Sequence, residues 1–199
     1  MGSGKTGRIS VVVVVAAAMV ASTAAASAEE KPANYVNVRV GVFEPTGDTK
    51  DGGYKRAENV EVIFGHYFSR SFALEGGFHR FRAKYAEVVV VYMEQFLEAN
   101  GAVLTPKIIY PVGRFELYGG IGVGYYWVKN EIWVHGPFET TNTEPKDTIW
   151  GYHVVAGASY DLTRRWYLEL EGKYVTLLDF LGATDITGVA VTLGVGLRF

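Results

Sequence analysis

Gly188-Val189-Ala190-Val191-Thr192-Leu193-Gly194-Val195-Gly196-Leu197-Arg198-Phe199 decides how the rest of the chain is read. Val189, Val191, Leu193, Val195, Leu197 and Phe199 fall on one face, and Gly188, Ala190, Thr192, Gly194, Gly196 and Arg198 on the other. An unbroken period of two is a strand. In a soluble sheet the second face would carry long polar side chains for water, whereas here it is mostly small. Small residues suit a crowded concave interior, and large apolar residues on the outer face suit lipid. A transmembrane β-barrel wall needs both.

The start of the chain sets the compartment. Lys5 and Arg8 precede an apolar run of 11 residues, Val11 to Ala21, and Ala26-Ser27-Ala28 supplies small residues before Glu29. This is the pattern of a secretory signal peptide over residues 1–28, leaving residues 29–199 as the mature domain. An uncleaved anchor is the weaker reading, since a spanning helix needs roughly 20 apolar residues. Loss of Lys5 and Arg8 with the leader moves the formal net charge from −2 to −4. No basic tract points to nucleic acid as a partner. Cys is absent although an oxidising compartment permits disulfides, so stability has to come from elsewhere, and a closed ladder supplies it. The mature chain has no transmembrane-helix run, yet aromatics reach 14% and Gly numbers 24 in the whole sequence, which favours a β-barrel.

The same alternation recurs along the chain. Tyr35–Phe43 sets Val36, Val38, Val40 and Val42 against Tyr35, Asn37, Arg39 and Gly41, with Arg39 inward. Asn59–Tyr67 and Phe72–Ala83 follow as strands joined by a tight turn, placing Glu61, Glu75 and His79 inward. Residues 84–101 read as a partly ordered loop: Val88 to Val91 looks extended, while Met93 to Ala99 has the composition of a short helix. Leu104–Val112 puts Thr105 and Lys107 inward, with Pro106 and Pro111 weakening its pairing. Phe115–Val128 sets Glu116, Tyr118, Gly120, Gly122, Gly124 and Tyr126 inward, the glycines leaving room in a tight lumen. Ile149–Asp161 and Trp166–Val175 precede the terminal strand and carry His153, Asp161, Glu169, Glu171 and Lys173 inward.

The total is an eight-stranded, antiparallel, up-and-down transmembrane barrel, all β. Short turns alternate with long loops at 44–58, 129–148 and 176–187, and the even strand count returns both termini to the periplasmic side. Aromatics near strand ends, from Tyr35, Phe43 and Tyr67 to Trp150, Trp166 and Phe199, read as two interfacial girdles. A soluble lipocalin-like barrel is the competing architecture, but its large apolar residues would point inward.

Tyr118-Gly119-Gly120-Ile121-Gly122-Val123-Gly124-Tyr125, after the segment Leu104 to Gly113, resembles the wall of the small bacterial outer-membrane barrels grouped around OmpA, OmpX and OmpW. The ending Gly188 to Phe199 is similar too, with Phe199 in the place of the terminal aromatic of the assembly signal. The resemblance implies a Gram-negative outer-membrane, porin-like cell-envelope protein. Its implied partners are outer-membrane lipid, lipopolysaccharide and the assembly machinery that reads the last strand. OmpW-like members are associated with passage of small hydrophobic compounds, which makes such a compound the alternative ligand.

The inward charges form the candidate site: Arg39, Glu61, Glu75, Lys107, Glu116, Glu169, Glu171, Lys173 and Arg198, with Asp161 nearby. In a barrel just wide enough to be filled by side chains, opposite charges pair with one another, since an unpaired charge in a narrow lumen is costly. This reads as a lumen charge network that plugs the barrel and leaves a structural or surface-interaction role. A solute conduit lined by the same groups would need one dominant sign for selectivity, and the signs here are mixed. The greasy segment Val88 to Leu97, with Trp133 and Phe138, supports the hydrophobic-passage alternative.

A lipid A-modifying enzyme is the third reading. His66, His79, His135 and His153 show no local pairing with a nucleophile, and no Gly-x-Ser-x-Gly elbow exists. Gly2-Ser3-Gly4-Lys5-Thr6 has the look of a phosphate loop but opens a signal peptide and lacks the flanking strand and helix. Scattered His, absent Cys and the turn-like Asp48 and Asp51 predict no catalytic residues, no cofactor and no metal.

Overall fold

A computed structural model describes residues 33–47, 50, 55–88, 92–135, 140–143, 146–180 and 184–199. The signal segment 1–28 lies outside the described residues. Among the described residues there are nine strands: β1 (Asn34–Thr46), β2 (Ala57–Ser69), β3 (Phe72–Val88), β4 (Tyr92–Val112), β5 (Phe115–His135), β6 (Thr140–Thr143), β7 (Lys146–Asp161), β8 (Trp166–Phe180) and β9 (Thr184–Arg198). All pairings are antiparallel. Eight strands close a ring in the order β1-β2-β3-β4-β5-β7-β8-β9, with β9 returning to β1 from Tyr35↔Arg198 to Thr46↔Thr187. The short β6 is an addition, paired with the upper end of β5 over Ile132–His135.

Closure gives every wall strand two neighbours, so no ladder edge faces lipid. The outer surface is apolar: Ile121, Leu193 and Phe78 are 66%, 65% and 64% exposed, and valines of β1, β2 and β9 are exposed beside them. The inner face of the same strands is buried, with Arg39, Glu61, Phe43 and Leu177 at 0–1%. The faces thus fall as the terminal strand predicts. A spanning strand needs about 9–11 residues when tilted. β4 and β5, at 21 residues each, rise well past that length.

That rise corrects the reading of residues 84–101. Residues 84–88 and 92–101 are wall: β3 runs on to Val88, β4 begins at Tyr92, and the two pair continuously from Phe72↔Ile108 to Val88↔Tyr92, while 89–91 lie outside the described residues. The helix-forming composition of Met93 to Ala99 is overridden because Leu97, Ala99 and Gly101 alternate inward and close a ladder on both sides. The three loops shrink for the same reason. β1 and β2 extend to Thr46 and from Ala57, β5 and β7 pair up to Lys129↔Lys146, and β8 and β9 pair up to Phe180↔Thr184. Phe138 lies outside the described residues, as does the side chain of Trp133.

The girdle assignment needs a second correction. Tyr35 and Phe43 are 3% and 0% exposed and point into the barrel, and Tyr67 packs beside Tyr35 with ring centroids 4.9 Å apart. They share strand parity with Asn37, Arg39 and Glu61, so the pleat carries them inward. Phe68, Phe72, Phe115, Trp127, Trp150, Trp166 and Phe199 are exposed on the outside and do form the belts.

Candidate functional site: the charged lumen

Small inward residues make the room that long charged side chains occupy. Arg39 faces Gly194 across the β1–β9 ladder, where an added Cβ would lie 2.9 Å from the Arg39 Cγ and 2.6 Å from the Asn37 Oδ1. Lys107 faces Gly120, with a Cβ there 3.2 Å from its Cγ. Large inward rings follow the same rule. Tyr35 pairs directly with Gly65, Tyr118 with Gly157, Tyr126 with Gly101, Tyr167 with Gly196 and His153 with Gly122. In each pair the ring lies over the bare backbone where a Cβ would collide with it. Gly157→Ala therefore pushes on Tyr118 and should lower the urea midpoint of the folded barrel by an amount equal to about 1–3 kcal/mol. Gly76 on the outer face meets nothing nearer than 3.8 Å, so Gly76→Ala should leave the midpoint unchanged or slightly raised.

Arg39 is the hub of the central cluster. Its Nη1 lies 3.3 Å from Glu61 and 3.2 Å from Glu171, and its Nη2 2.9 Å from Glu75 and 2.8 Å from Glu169. Lys107 Nζ sits 2.9 Å from Glu75 and 2.8 Å from Glu171, and its ammonium lies 3.9 Å from the centroid of the Tyr118 ring. Lys173 Nζ is 2.6 Å from Glu61. Neutral donors complete the shell. Tyr35 donates to Glu75 at 2.9 Å, Asn59 to Glu61 at 3.1 Å and Asn37 to Glu169, and the Tyr118 hydroxyl, with a single proton to give, lies against both Glu169 and Glu171. Three cations thus face four carboxylates, all of them buried.

Arg198 belongs to a different group. Toward the periplasmic end it lies 2.6 Å from Asp161 and 3.0 Å from Glu116, with its guanidinium 4.3 Å from the Tyr167 ring centroid. Tyr67 and Ser159 each donate to Glu116 at 3.2 Å. Of the nine predicted network residues, Glu116 and Arg198 therefore stand apart from the other seven. Between the two groups is a cavity with room for about one water molecule. Tyr35, Tyr67, Tyr118 and Tyr167 line it; the alternation of β5 places Tyr118 inward, whereas nearness to a strand end assigns Tyr35 and Tyr67 to the girdles and Tyr167 is not singled out by the sequence.

Above the central cluster the lining changes character. His79 contacts the Asn59 Oδ1 at 2.5 Å and the Tyr126 hydroxyl at 3.3 Å. His153 Nε2 contacts the Thr105 hydroxyl at 2.8 Å, a hydroxyl–imidazole pair in form, but both residues are buried and the His153 Nδ1 finds no orienting partner. Beyond them lies an apolar layer that includes Phe43, Phe81, Leu97, Val128, Val175 and Leu177, with Phe43 and Phe81 stacked at 4.2 Å. Among the described residues no His, Asp and Glu side chains group to hold a metal. Phe199 is exposed at the periplasmic end, its backbone bonded to Asn34 in both directions at 2.9 and 3.3 Å.

A closed antiparallel barrel, apolar outside and polar or filled inside, with short turns at one end, defines a transmembrane protein of the bacterial outer membrane. Residues 13–199 match the family described as outer membrane protein beta-barrel domain, and the chain belongs to that family. No curated protein matches it in sequence. Among solved structures it is similar to Ail of Yersinia pestis, crystallised with the heparin analogue sucrose octasulfate, at 16% identity and a TM-score of 0.58, covering 85% of this chain and 100% of that one. OprG from Pseudomonas aeruginosa gives 14% identity and 0.58, covering 85% and 97%. The N-terminal barrel domain of Pseudomonas aeruginosa OprF gives 13% and 0.55, covering 85% and 100%. At these identities the likeness is one of fold.

Proposed function

We propose that this protein is a plugged outer-membrane barrel with a structural or surface-interaction role. The observation that supports this reading most is the central cluster, where Arg39 meets Glu61, Glu75, Glu169 and Glu171 within 3.3 Å in the middle of the lumen. Ion pairs that dense leave no continuous aqueous file, and mixed signs supply no selectivity. Single-channel recording tests it. The wild-type protein should show no steady conductance in planar bilayers, and Lys173→Ala or Arg198→Ala should raise conductance or lower resistance to urea. A wild-type channel of stable conductance would overturn the reading. No enzymatic step is part of this role, so overexpression should leave the lipid A mass spectrum unaltered.

The partners follow from position. Membrane lipid and lipopolysaccharide meet the outer face, and the assembly machinery reads the last strand through Phe199. Phe199→Ala should reduce the amount of protein reaching the outer membrane while detergent refolding stays normal. Equal outer-membrane levels would remove Phe199 from that role.

Passage of small hydrophobic molecules is favoured by one observation, the apolar inner layer around Phe43, Phe81, Leu97 and Leu177. If that layer receives a solute, deleting residues 130–147 should change uptake of an apolar fluorescent probe by cells, and unchanged uptake rejects it.

A further inference from the structure

We infer that the periplasmic rim of the barrel is a binding surface for anionic phospholipid headgroups of the inner leaflet. Every short turn carries arginine: Arg70 between β2 and β3, Arg114 between β4 and β5, and Arg164 and Arg165 between β7 and β8. All four are exposed, and none of these turns contains Asp or Glu. The acids nearest to them in sequence, Glu116 and Asp161, both contact Arg198, at 3.0 and 2.6 Å. Glu29, Glu30 and Lys31 precede β1 in the sequence and lie outside the described residues.

Depth is set independently by the aromatic belt. Arg70 lies between the exposed Phe68 and Phe72 in sequence, Arg114 precedes the exposed Phe115, and Arg165 precedes the exposed Trp166. Exposed aromatics on a barrel wall sit at the membrane interface. Guanidinium groups one or two residues beyond them reach the level of lipid phosphates, for which their planar fork is suited. Two of the turns are also tied together. Arg114 donates from Nη2 to the Leu162 carbonyl at 2.8 Å and lies 5.3 Å from the Tyr160 ring centroid, which brings it beside the turn that holds Arg164 and Arg165.

The opposite end has a different pattern. From β2 to β5, Glu58 pairs with Arg82, Arg82 with Glu98, and Glu98 with Lys129, so acids stand among the cations there, although Lys129 pairs with Lys146 on β7, and Arg80 contacts Glu98 at 3.2 Å. Among the described residues, each short turn at the rim carries arginine with no acid in the same turn, and the phospholipid leaflet is what surrounds that rim.

Native mass spectrometry of the full-length mature barrel, from mixed micelles holding equal phosphatidylglycerol and phosphatidylethanolamine, tests this. Wild-type protein should retain phosphatidylglycerol in excess, by on the order of 5-fold if one contact is effective. The variant R70Q/R114Q/R164Q/R165Q should fall to parity, with its folding checked by heat-modifiable gel mobility. Lysine at the same four positions should keep a preference. Parity in wild-type, or an unchanged preference in the glutamine variant, overturns the inference. Added inorganic phosphate at an equal concentration should not displace the lipid, and displacement would mean the rim reads the free ion. Lipid A in the same micelles should be retained equally by wild-type and glutamine variant, and its selective loss would move the partner to the outer leaflet. Should the glutamine variant fail to fold, raising salt around the wild-type protein decides, since rim contacts weaken as ionic strength rises and a salt-independent preference rejects them.

Discussion

Arg39→Met is expected to destabilise the barrel more than any other single lumen substitution, by about 3–5 kcal/mol. Among the described residues the guanidinium alone reaches Glu61, Glu75, Glu169 and Glu171 at once, and its removal leaves Lys107 and Lys173 to balance them in a buried space. Much of the loss is the cost of carboxylates left without a partner, not the worth of the ion pairs themselves. Adding Glu171→Gln to Arg39→Met should therefore return part of it, a coupling that a double-mutant cycle measures directly. Arg39→Lys should fall between, because an ammonium keeps the charge and loses the fork that spans the carboxylates. Urea unfolding of the barrel in lipid vesicles, followed by loss of heat-modifiable mobility, reads all three. Wild-type stability in Arg39→Met would mean that the cluster does not hold the strands together.

Leu193→Arg should cost roughly 2–4 kcal/mol, because Leu193 stands midway along the outward face of β9, 65% exposed and flanked by Val40 and Leu170 on the adjacent strands. An arginine there has hydrocarbon around it and no partner. Its neighbour Thr192 points the other way and is 2% exposed, so Thr192→Ser should change folding little. Refolding yield and urea midpoint in vesicles of uniform thickness give the order of the two effects. The reverse order would require the inside and outside of every strand to be exchanged.

The faces of the wall were legible because a period of two is unambiguous once one strand is read. Gly188 to Phe199 assigns large apolar side chains outward, and Arg39, Glu61, Glu75, Lys107, Glu169, Glu171 and Lys173 then fall inward by parity alone. Parity also held the answer for Tyr35, Phe43 and Tyr67, but nearness to a strand end, the usual mark of a girdle aromatic, competed with it and pointed the wrong way. Residues 84–101 were hidden by the helix-favouring run Met93 to Ala99, which outweighed the extended look of Val88 to Val91 before it. The division of the charges into a central group and the Arg198 group depends on the stagger of one strand against the next around the ring. Spacing within any single strand does not contain that stagger. The tyrosine layer had a signal that went unused, the recurrence of glycine opposite each inward ring.

Those ring-on-glycine pairs also bear on how the barrel reaches a single arrangement. Alternation of faces rejects a sheet that slips by one residue, since every side chain would change sides. It is blind to a slip of two. A two-residue slip of β1 on β2 would set Tyr35 against Ile63 or Tyr67 in place of Gly65, and one of β5 on β7 would set Tyr118 against Val155 or Ser159 in place of Gly157. None of these leaves room for the ring. The glycines act as a proofreading code for strand pairing, one that the pleat alone does not provide, and pairs such as Tyr35 with Gly65 are expected to change together or not at all.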